Sequence, residues 1–94
     1  MIQINVSGFL TDFTNGRSVI KLESSPPTVG QALSELWRMY PGLRDRVLTE
    51  QGQVRTHVNV FLEDENIRRK ELLETQLPDE SEITILPAVS GGGF

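Results

Sequence analysis

Cysteine is missing from this 94-residue chain. That excludes disulfide staples, thiolate metal ligands and a side-chain sulfur nucleophile. Histidine is nearly missing. His57 stands alone, which rules out a histidine-cluster metal site. No serine or aspartate pattern supports a triad around it, so it reads as a solvated surface residue. There is no long apolar run and no signal-peptide pattern, so the chain is expected to be soluble and cytoplasmic. Basic side chains are in the minority, nine against thirteen acidic, for a net charge of −4. The cluster Arg68-Arg69-Lys70 is short and isolated. That balance argues against nucleic acid as a partner and mildly for a basic protein surface. No phosphate-binding loop and no paired-carboxylate site stands at an argued spacing. The length fits one domain with a modest core.

What is present is periodic. "MIQINVSG" alternates, with Ile2, Ile4 and Val6 on one face, the two-residue repeat of a half-buried strand. Asn15-Gly16 is a turn signal, and "RSVIKLE" reads as a second strand, so the two predict a hairpin with a long loop. The period then lengthens. Thr28 is a helix N-cap candidate, and Val29, Leu33, Leu36, Trp37 and Tyr40 form one apolar helical stripe that Pro41-Gly42 ends. Trp37 on that stripe reads as a core residue. "LRDRVLTEQGQV" predicts a helical turn followed by a loop. "THVNVFLEDE" alternates again, with Val58, Val60 and Leu62 inward, and ends at the acidic turn Glu63–Asn66. A short strand or turn is expected near Ile67, a helical turn near Leu72, and a last strand in "SEITILPAV", closed by Pro87. A hairpin, one main helix and later strands predict an α+β domain. Its first and last strands pair in parallel, in the β-grasp arrangement: a mixed sheet of four to five strands on one main helix.

The domain is expected over residues 1–87, with a tail over 88–94. That tail, "AVSGGGF", cannot pack, because glycine has no side chain to bury and loses the most backbone entropy on ordering. Composition alone leaves two readings open, a frayed terminus and a reach. As a reach, residues 88–92 span on the order of 16 Å when extended. Glycines let a backbone pass a narrow channel, and a terminal glycine carboxylate is an unhindered acyl group.

The segment "DESEITILPAVSGG" resembles the C-terminus of the ThiS/MoaD family of ubiquitin-like sulfur carriers. The likeness extends over "MIQINV", "TVGQALSELWRMYPGLRDRVL" and "HVNVFLEDENIRR", nearly the whole chain. The helix followed by "YPGLRDRVL" is especially similar to the CysO-like carriers of cysteine biosynthesis. The resemblance implies a diglycine, Gly91-Gly92, whose carboxylate an E1-like adenylyltransferase of the MoeB/ThiF type charges with ATP. A sulfide source then converts it to a thiocarboxylate. It implies no bound cofactor and no enzymatic activity of the chain itself. Gly93 and Phe94 extend past the pair, as in a subset of these carriers that a zinc-dependent JAMM metallopeptidase trims. Cleavage after Gly92 is therefore expected, with cleavage after Gly93 the other possibility. A cysteine-synthase-like or sulfhydrylase enzyme is the implied sulfur acceptor. Such carriers dock through an open sheet face, which makes Phe61 a partner-contact candidate, with Pro87, Ala88 and Val89 at the base of the tail. The alternatives are a protein modifier forming isopeptide bonds, the small subunit of a molybdopterin synthase, and a binding module whose tail has no role. The acidic clusters Glu63-Asp64-Glu65 and Asp79-Glu80 with Glu82 read as solvated turns, or as a match to basic grooves on the activating enzyme.

Overall fold

The computed structural model describes residues 1–87. Ile2–Val6 forms β1 and Val19–Leu22 forms β2, paired antiparallel with Ile4 opposite Ile20. The turn expected at Asn15-Gly16 is there, with positive φ at both residues. Just before it, Gly8–Phe13 winds into a 3-10 helix where only loop was expected. One fully buried side chain, Leu10, holds it to the core. A single anchor leaves no periodicity to read.

Val29–Met39 forms α1. Thr28 caps it: its hydroxyl oxygen accepts from the Gln31 N–H at 3.2 Å. Val29, Leu33 and Leu36 are fully buried, and Ala32 joins them. Trp37 and Tyr40 pack at the margin of the core and keep one side in water. Pro41 closes α1 but does not end helical structure. Pro41–Val47 forms α2, with proline in its first turn. There the missing N–H costs nothing and the fixed φ already suits a helix. Buried Leu43 and Val47 extend the turn expected here into a helix of seven residues.

Val58–Leu62 forms β3, Glu65–Asn66 forms β4 and Glu82–Pro87 forms β5. Short 3-10 stretches at Ile67–Arg69 and Leu72–Glu74 link β4 to β5. The sheet order is β2-β1-β5-β3-β4, with β5 parallel to β1 and antiparallel to β3. Ile2, Ile4, Val6, Val58, Val60, Leu62, Ile83 and Ile85 point from the sheet into one core shared with α1 and α2. The expected β-grasp is present, with five strands. Its last strand lies at the centre of the sheet, and that places the site.

Candidate functional site

Residues 88–94 follow β5 in the sequence, so the site is built from the end of that strand. β5 is paired on both sides, with Ile85 opposite Val6 on one flank and Val60 on the other. On the β3 side the ladder runs to the last residue, Pro87 opposite Val58. The Ser7 N–H donates to the Ile85 carbonyl at 3.2 Å. Gly8 follows, with φ +65°, and a Cβ there would stand 3.0 Å from Pro87 Cγ. Glycine is needed twice at this point, for the left-handed backbone and for the close approach. Pro87 has its own φ fixed by its ring. The last described residues of β5 therefore form a stiff strand, flanked on both sides. Ala88, Val89, Gly91, Gly92, Gly93 and Phe94, all singled out in the sequence, lie outside the described residues.

The sheet face away from α1 is open. Phe61 lies on it, half-buried, with Thr84 of β5 on one side and Asn66 of β4 on the other. Much of the rest of that face is a polar lattice. Gln3 Nε2 donates to Asn5 Oδ1 at 3.0 Å and to Glu82 Oε2 at 3.2 Å. Asn5 Nδ2 donates to Thr84 Oγ1 at 3.2 Å. Nearer the root, Asn59 Oδ1 accepts from Asn66 Nδ2 at 3.1 Å and from Arg68 Nη1 at 3.0 Å. Phe61 is thus an apolar point in a hydrogen-bonded field, with Leu86 half-buried beside the root. A second aromatic was missed in the sequence. Phe9, next in the chain after Gly8, is 59% exposed. Its one sequence signal was the glycine before it, which breaks the alternation of β1 and marks a turn.

The acidic turns meet in space. Glu63, Asp64, Glu65, Asp79 and Glu80 line one hollow of about 280 Å³ at the start of β5. The Glu82 N–H donates to Glu63 Oε2 at 2.8 Å. Glu80 Oε2 accepts from the N-terminal ammonium at 2.7 Å. That hydrogen bond, helped by the ammonium charge, holds the Glu80 carboxyl below the ordinary carboxylate value. This pole sits at the opposite end of β5 from Pro87.

Among the described residues there is no group of three or more metal-ligating side chains, and His57 is exposed, as expected. Residues 4–92 match the ThiS family. The chain belongs to that family. The match runs through β5 and into the tail, and it stops short of Gly93 and Phe94. Sulfur carrier protein CysO of Mycobacterium tuberculosis is 30% identical over 93 residues, 97% of this chain and 98% of that protein. Small archaeal modifier protein 3 of Haloferax volcanii is 35% identical over 65 residues, 69% of this chain and 70% of the relative. Among solved structures, a chain of the Amycolatopsis orientalis BexX/CysO complex superposes with a TM-score of 0.87 at 26% identity, covering 98% of this chain and 100% of its own. Among the described residues, no helix is long and apolar enough to cross a membrane.

Proposed function

We propose that this chain is a sulfur carrier protein, a co-substrate of enzymes and not itself an enzyme. Trimming after Gly92 exposes the carboxylate. An adenylating enzyme of the MoeB/ThiF type joins it to the AMP of ATP with release of pyrophosphate. Sulfur from a sulfide source then displaces AMP and leaves a C-terminal thiocarboxylate. That group donates sulfur in biosynthesis, to a cysteine-synthase-like or sulfhydrylase acceptor.

One observation carries the reading: the family match ends at residue 92, on the second glycine of the tail. Gly93 and Phe94 fall past it. While they remain, the acyl end stands two residues too far along, and a phenyl ring blocks a channel wide enough only for glycine. A metallopeptidase of the JAMM type supplies the cut. The paired root, where Pro87 stands opposite Val58, supports the same reading, since a fixed base leaves less freedom to be lost on binding a partner.

The test is intact mass spectrometry of the chain incubated with peptidase, activating enzyme, ATP and sulfide. The expected result is loss of Gly93-Phe94, followed by a gain equal to replacement of one oxygen by sulfur. An unchanged mass with partners active on their own substrates defeats the proposal. The archaeal modifier relative favours a second reading, in which the same glycine forms an isopeptide bond with lysine. It requires a ladder of adducts on denaturing gels that disappears when Gly91-Gly92 is deleted.

A further inference from the structure

The Asn15-Gly16 turn has no part in the carrier reading, but the pair is chemically reactive. The Gly16 nitrogen is able to attack the Asn15 side-chain carbonyl carbon, because glycine puts no side chain in its way. A C–N bond forms, ammonia leaves, and a five-membered succinimide results. Water then opens the ring at either carbonyl, giving aspartate or isoaspartate. The other asparagines, Asn5, Asn59 and Asn66, precede Val6, Val60 and Ile67, whose branched side chains crowd the attacking nitrogen. Asn15 is also exposed to water.

The fold sets the pair against this chemistry. φ is +56° at Asn15 and +81° at Gly16, and the Arg17 N–H donates to the Thr14 carbonyl at 3.0 Å. Two central residues with positive φ under such a bond make a type I′ turn. In the left-handed region ψ is about +47°, which turns the Gly16 nitrogen nearly anti to Asn15 Cβ. Ring closure needs the two nearly eclipsed. The attacking nitrogen is also engaged, since its N–H donates to the Thr11 carbonyl at 2.8 Å. Thr14, fully buried, staples the turn, its hydroxyl donating to the Arg17 carbonyl at 2.6 Å. The connection continues toward the tail root. Thr11 Oγ1 donates to the Gly8 carbonyl at 3.0 Å, and Gly8 packs against Pro87.

We propose that Asn15 is a site of spontaneous succinimide formation that the folded turn holds silent. Reaction requires the turn to open and the Gly16 nitrogen to leave Thr11. Isoaspartate then makes the opening permanent. Its main chain runs through the former side chain and carries one more carbon, so the turn and its Thr14–Arg17 bond do not re-form. Aspartate returns to the turn, since a short polar side chain tolerates the left-handed region. This holds whether or not the chain carries sulfur.

The test incubates the full chain at mildly alkaline pH, folded in buffer and unfolded in guanidinium chloride, and maps its peptides by mass spectrometry. The peptide holding Asn15 should gain the mass of an amide-to-acid exchange, as two products that separate by chromatography. Conversion should be at least about tenfold faster unfolded than folded. Thr14→Ala removes the staple and should speed conversion in buffer, whereas Thr14→Ser should not; circular dichroism shows whether each variant is folded. The isoaspartate form, isolated and refolded, should unfold at lower denaturant than wild type, while Asn15→Asp should match wild type. Equal folded and unfolded rates for wild type overturn the silencing. No conversion in guanidinium overturns the site itself. An isoaspartate form as stable as Asn15→Asp overturns the permanent opening.

Discussion

Two glycines separate backbone strain from contact at the tail root. Gly8 and Gly16 both have positive φ, +65° and +81°, but a Cβ at Gly8 meets Pro87 whereas one at Gly16 meets nothing within 4 Å. Gly16→Ala should therefore cost only the left-handed strain, about 1 kcal/mol. Gly8→Ala should cost more, and adding Pro87→Ala should recover the excess. Urea unfolding of the four variants closes that cycle. In the carrier reading Gly8→Ala also re-aims the tail, so its adenylation should slow more than its lost stability explains. Glu80 carries the pH dependence at this scale. Its folded value is depressed by the N-terminal ammonium. A depressed carboxylate contributes stability above its unfolded value and loses it as pH falls through the folded value. The stability difference between wild type and Glu80→Gln should thus be present at neutral pH, small because the pair is exposed, and vanish below the ordinary carboxylate range. An acid titration followed by circular dichroism checks this.

At the scale of the element, α1 shows packing overruling propensity. Glycine inside a helix normally costs roughly 0.5–1 kcal/mol relative to alanine, so Gly30→Ala ought to stabilise. Here the added Cβ would stand 3.0 Å from the Leu73 carbonyl oxygen and 3.1 Å from Leu73 Cβ. The first of these is backbone, which cannot swing away. Gly30→Ala should lower the melting temperature, and an increase would show that the 72–74 turn yields easily. At the same end, Thr28→Ala removes the cap on Gln31 and should cost about 1 kcal/mol. Both effects read out by thermal unfolding. Sequence periodicity found α1 and its cap because stripe and cap are local. Of α2 it found only a turn, because a proline reads equally well as a stop and as a first turn, and only the burial of Leu43 and Val47 decides between them.

For the whole molecule, the deciding feature is that the last strand is the middle one. β5 divides its side chains between two tasks: Ile83 and Ile85 fill the core, while Thr84 and Leu86 face outward. Ile85→Ala should cost about 2–5 kcal/mol. In a domain of this size that approaches the whole margin of stability. Leu86→Ala should cost less than about 1 kcal/mol and instead weaken docking of the activating enzyme. Denaturant midpoints and carrier KM, measured on both variants, test the division. If Leu86→Ala were as destabilising as Ile85→Ala, the open face would be closed by something other than a partner.

The alternation in "MIQINV", "HVNVFL" and "SEITIL" already determined which side chains enter the core, because strand period and burial are properties of adjacent residues. It determined by itself that Phe61 faces outward from Val60. The helix cap at Thr28 and the turn at Asn15-Gly16 were equally local. What only the tertiary structure decided are relations between residues distant in the chain. Gly8 lies under Pro87, and two acidic turns form one pole. Arg68, from the basic run, reaches across to Asn59 and to the Arg55 carbonyl. Each comes from β5 inserting between β1 and β3, a long-range pairing that depends on the core shared with α1 and α2, and no window of sequence contains it.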